Sequence, residues 1–116
     1  MNLDTRTIGF ALTEALEQRV GDHVGMALGP VAGSVTRVQV WLSDVNGDRG
    51  GIDKRCRVVA TLGHHRSAVA EATTDDLYTA IDEAARKVGR AAQRLATRRL
   101  AHERKDAQRP GALVKP

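Results

Sequence analysis

The sequence is poor in aromatic residues: Phe10, Trp41 and Tyr78 are the only Phe, Trp and Tyr among 116 residues. Base stacking on aromatic platforms, the usual device of single-strand readers, therefore cannot be its main resource. Backbone and shape recognition stay open to it. Cysteine is nearly absent as well. Cys56 alone excludes an internal disulfide and any Cys-rich zinc site, and fits a reducing compartment. No run approaches the roughly 18 apolar residues that a membrane span needs. Met1 to Arg6 is polar and leads into no long apolar stretch, so no secretory signal and no membrane partner are expected. A cytoplasmic location is the simplest reading.

Catalytic and metal signatures are also lacking. There is no Walker glycine loop, no GxSxG elbow and no spaced Cys-His or Ser-His-Asp set. Asp44, Asn46 and Asp48 begin like a calcium loop, but Arg49 stands where the sharp-turn glycine belongs and Arg55 where the bidentate Glu belongs. His64-His65 reads as a turn, and His23 and His102 supply no zinc spacing. No enzyme activity, metal or cofactor is expected.

What is present is one domain's worth of chain with a clear pattern. Residues 2–8 suggest a short strand. Thr13 then offers an N-cap for a helix through Leu16, Val20, Val24 and Leu28, which Gly29-Pro30 ends. From Val35 to Ser43, Val38, Val40 and Leu42 share one face, while Arg37, Gln39 and Trp41 share the other. Trp41 can stack there on a base, ribose or arginine, or pack beneath a loop or terminus. The segment 44–53, with Asn46-Gly47 and Gly50-Gly51, predicts a projecting loop between antiparallel strands. Lys54 to Leu62 alternates again, with Cys56 and Val58 opposite Arg55 and Arg57. Residues 66–73 read as a fourth strand, and a last helix begins near Thr74 or Asp75. The order predicts an α+β sandwich, β-α-β-β-β-α, with two helices on one face of a four-stranded mixed or antiparallel sheet. The foldable domain is expected to span 1–105, with 106–116 as a flexible tail.

The last helix, from about Asp75 to Arg104, is the most informative element. At 100° per residue, Leu77, Ile81, Ala84, Val88, Ala91 and Leu95 fall in one narrow arc that should face the sheet. Arg86, Lys87, Arg90, Arg94 and Arg98 occupy an adjoining arc. Residues 86–105 hold eight Lys or Arg against the single acid Glu103, whereas the whole chain has a net charge of only +4. A stabilising surface face would interleave acids to form i,i+4 ion pairs; this run of like charge repels itself until a polyanion relieves it. Lys54, Arg55 and Arg57 could add a second contact surface, the bland alternative being a solubilised sheet.

The string Asp76-Leu77-Tyr78-Thr79-Ala80-Ile81-Asp82, followed by Lys87, Arg90 and Arg94, gives these features a family context. With Phe10-Ala11-Leu12-Thr13 and Val38-Gln39-Val40, it resembles the ribosome hibernation promoting factors, also described as the ribosome-associated inhibitor or sigma-54 modulation family. The resemblance spans about residues 2–100. It implies a domain similar in shape to double-stranded RNA-binding domains. It also implies a partner, the small ribosomal subunit and its 16S rRNA, bound where messenger and transfer RNAs sit so that translation is inhibited in stress or stationary phase. Lys87, Arg90 and Arg94 fall on family positions that contact RNA; Arg86 and Arg98 extend that set from the helical wheel. The chain resembles the short, single-domain form without a dimerisation domain, implying a monomer. The residue pattern alone leaves two other readings: a general structured-RNA-binding module, or an adaptor whose basic helix docks an acidic protein.

Overall fold

The computed structural model describes residues 2–44, 53–63 and 66–108, with side chains described as far as Arg98. The expected loop at 44–53 and turn at His64-His65 therefore lie largely outside the described residues. The elements follow the predicted order: β1 (Asn2–Ile8), α1 (Glu14–Leu28), a 3-10 segment (Gly29–Ser34), β2 (Val35–Asp44), β3 (Lys54–Leu62), β4 (Arg66–Thr74) and α2 (Leu77–Gln108). The sheet is mixed, in the order β1-β2-β3-β4. β1 runs parallel to β2, which requires a crossover, and α1 supplies it. The other two pairings are antiparallel.

Local chemistry sets the helix ends. The Thr13 hydroxyl accepts from the Leu16 amide at 3.2 Å, the N-cap bond expected from sequence. α2 starts later than expected. Thr74 stays in β4, paired with Lys54, and Asp76 is the cap: its carboxylate accepts from the Thr79 amide at 3.1 Å and the Thr79 hydroxyl at 3.0 Å. Thr74, Asp75 and Asp76 are all good caps, and strand pairing decides among them.

Alternation puts Val38, Val40, Leu42, Cys56, Val58, Ala60 and Leu62 into the core, where they meet Leu16, Val20, Val24 and Leu28 of α1. β4 contributes only alanines, Ala68, Ala70 and Ala72, to that face. Small side chains there let α2 lie close above β3 and β4. α2 buries a face shifted from the predicted arc, with Leu77, Ala91 and Leu95 only partly buried. Beyond Ile81, Ala84 and Val88, it also buries Ala80, Ala85 and Ala92, and α1 packs along its flank. Gly89 marks that contact: a Cβ there would stand 2.8 Å from the Ala27 carbonyl oxygen and 3.1 Å from the Ala27 Cβ. The glycine that costs helix propensity is what admits the second helix.

Candidate nucleic-acid interface

α2 has 32 residues, about 48 Å of helix. The strand beneath it has nine, about 30 Å. Its buried stripe leaves Arg86, Lys87, Arg90, Arg94 and Arg98 exposed. Lys87, Arg90, Gln93, Arg94, Thr97 and Arg98 border one open depression of about 710 Å³. Two grooves flank it. One, about 470 Å³, runs between Arg86, Arg90 and Gln93 on one side and Met26 and Ala27 of α1 with Pro30 of the 3-10 segment on the other. The other, about 230 Å³, lies between Arg94 and Arg98 and the β4 edge at Ser67 and Val69. The cations therefore stand on a ridge with a concavity on either side.

Among the described residues, none of these five cations lies within ion-pair distance of a carboxylate. The Lys87 ammonium donates to the Glu71 backbone carbonyl at 3.3 Å, using a free group on the edge strand. The acids at the start of α2 form no ion pair with the stripe, although Asp82 feels the Arg86 charge. Asp82 instead turns to α1, accepting from Arg19 Nε at 3.1 Å and Nη2 at 2.7 Å and meeting His23 Nδ1 at 3.2 Å. The Arg19 guanidinium, with help from charge on His23, holds the Asp82 carboxyl below the usual carboxylate range. Arg19 in turn lies 5.4 Å from the Tyr78 ring centroid. The Asp76-to-Asp82 string is thus structural throughout: Asp76 caps, Ala80 and Ile81 are buried, Tyr78 supports Arg19, and Asp82 ties the two helices.

The other three expected cations fall elsewhere. Lys54 closes the base of the β2–β3 connection, its ammonium 3.0 Å from Asp44 and 3.1 Å from the buried Asp53. The Asp44 hydrogen bond, reinforced by Asp53, raises its pKa, so its charge is committed. Arg55 and Arg57 project from the sheet face opposite the helices, 3.4 Å and 3.9 Å from Glu71. The five α2 residues share one surface, Arg55 and Arg57 share another, and Lys54 belongs to neither. Sequence reasoning did not single out Arg19 or Asp53, and it weighed His23 only as a zinc ligand. For Arg19 and His23 a signal existed, since an i,i+4 pair of bases on α1 needed an acid. For Asp53 there was none.

Cys56 is no nucleophile: burial pushes its thiol up to about 12. Among the described residues, no group of three or more His, Cys, Asp or Glu could hold a metal ion. No described helix is long and apolar enough to cross a membrane.

Residues 3–100 match the family described as sigma 54 modulation protein / S30EA ribosomal protein. This chain belongs to that family. Two solved structures share the family fold. A ribosomal subunit interface protein from Coxiella burnetii is similar at 16% identity with a TM-score of 0.69, over 83% of this chain and 99% of that one. The Protein Y N-terminal domain of Thermus thermophilus is similar at 21% identity with a TM-score of 0.66, over 82% and 99%. No curated protein matches the sequence. The family match covers the buried stripe of α2 and the basic ridge together, ending two residues beyond Arg98.

Proposed function

We propose that this protein binds the small ribosomal subunit through α2 and lowers translation by occupying the region where messenger and transfer RNAs sit. The observation that carries the reading is the ridge itself: five cations on one helix face, with no carboxylate partner among the described residues. Folded RNA presents phosphates on both walls of a groove, and a ridge that runs about 18 Å from Arg86 to Arg98 with a concavity on each side suits such a target. Family membership directs the choice of RNA toward the ribosome. The mechanism is steric. Contacts from Arg86, Lys87, Arg90, Arg94 and Arg98 hold the domain in place, and its bulk excludes other ligands without any chemical step.

Cosedimentation with purified 30S subunits tests this. The wild-type protein should pellet with them, and Lys87→Ala/Arg90→Ala/Arg94→Ala should remain in the supernatant. Equal pelleting of the two would remove the stripe from the interface. Unrelated duplex RNA competing as well as 30S would make the domain a general structured-RNA module. Copurification of a protein that survives nuclease would favour an acidic partner instead.

A further inference from the structure

The open face of the sheet is a second surface, on the side away from α2. Strand register aligns its side chains in rows. In one row Arg6 of β1, Trp41 of β2, Arg57 of β3 and Glu71 of β4 lie side by side. Neighbouring strands are about 4.8 Å apart, so the sole tryptophan has an arginine one strand spacing away on each side. Arg55 lies in the next row and Arg37 two rows the other way. Against these four arginines the described face carries two acids, Asp4 and Glu71.

Those acids hold the arginines loosely. Arg57 stands 3.9 Å from Glu71 with both side chains about half exposed, and the Arg6–Asp4 contact is more exposed still. Exposed pairs of this kind separate at little cost. Trp41 is half-buried, although it stands on the solvent side of the sheet. Among the described residues the cation seated over an aromatic ring is Arg19 over Tyr78, not an arginine over Trp41. An indole between two arginines, on a surface with excess positive charge, has the chemistry for one base and its adjoining phosphates.

We infer that the open sheet face binds a short single-stranded RNA segment, one base stacked on Trp41 and the flanking phosphates held by Arg6 and Arg57. The site is a one-base anchor, as a chain with three aromatic residues allows. It lies on the opposite side of the sheet from the α2 ridge, so the protein grips folded RNA with one face and a loose strand with the other. The inference stands or falls independently of the function proposed for α2.

Trp41 is the only tryptophan, so its emission reports on this face directly. A seven-nucleotide oligo(A) RNA would be titrated at low salt into wild-type protein, into Lys87→Ala/Arg90→Ala/Arg94→Ala and into Arg6→Ala/Arg57→Ala. Saturable quenching is expected for the first two alike, with affinity about tenfold weaker in the third. The same titration with a duplex RNA should leave the emission unchanged. Absence of saturable quenching, its loss in the α2 variant, or an unaltered curve in Arg6→Ala/Arg57→Ala would each overturn the proposal. An emission change driven by protein concentration alone would assign the face to a second copy and overturn it too. Loss of 30S binding in the α2 variant is read separately, so failure of either surface is distinguishable.

Discussion

Gly89 of α2 lies so close to Ala27 of α1 that a Cβ at position 89 would stand 2.8 Å from the Ala27 carbonyl oxygen. That oxygen is backbone and cannot swing away, so Gly89→Ala must part the helices. Alanine's propensity gain of about 1 kcal/mol opposes the clash. We expect a net loss of about 1–3 kcal/mol, within the usual range for overpacking. Gly21 has nothing within 4 Å of its virtual Cβ. Gly21→Ala should therefore stabilise the fold by up to about 1 kcal/mol. Urea midpoints of the two variants against wild type should move in opposite directions.

Removal of Lys87, Arg90 and Arg94 together should act on salt dependence as well as affinity. Each lost phosphate contact is expected to reduce the slope of log K against log salt by about one. Lys54→Met should behave differently, because its ammonium serves Asp44 and Asp53. It should lower the melting temperature and leave the slope unchanged. A shallower slope in Lys54→Met would place that residue in the interface.

Asp82 should make stability sensitive to acid. Its carboxyl is held below its ordinary value in the folded protein, chiefly by Arg19. The stabilisation is present above the unfolded pKa of about 3.9 and is lost as pH falls through the lower folded value. Urea midpoints of wild type and Asp82→Asn should differ at neutral pH and converge below about pH 4. A constant gap across that range would show that Arg19 and His23 do not depend on the Asp82 charge.

Cys56 should be silent to thiol reagents. With its thiol at about 12 and the side chain in the core, thiolate is a trace species near pH 8. Alkylation should be negligible in the folded protein and rapid in denaturant. Fast labelling of native protein would mean that β3 opens readily.

Much of this was readable in the sequence, for physical reasons. Alternation through Val38, Val40 and Leu42, and through Cys56, Val58 and Ala60, assigned the sheet faces, because a one-residue slip would expose the core. Helical period found the basic ridge. The start of α2 was misplaced because Thr74, Asp75 and Asp76 are equivalent as caps until β4 claims Thr74. The flank of α2 against α1 was missed because Ala85, Gly89 and Ala92 are too small to register in a hydrophobic pattern. The sequence set Lys54 apart from the helix, with Arg55 and Arg57, but its engagement by Asp44 and Asp53 was hidden, since those partners are set by the fold.

The division of charge along α2 has a consequence for how the protein arrives at RNA. Asp82 is turned to Arg19 and His23 of α1, while the described cations beyond it form no ion pair among the described residues. α2 therefore carries its positive charge in its C-terminal part, and a polyanion's field pulls that end of the helix forward before contact. That pull should orient the molecule during the encounter, which shortens the orientational search. With a screening length of about 8 Å at physiological salt, that guidance acts only over the last few solvent layers. Added salt should then slow arrival first.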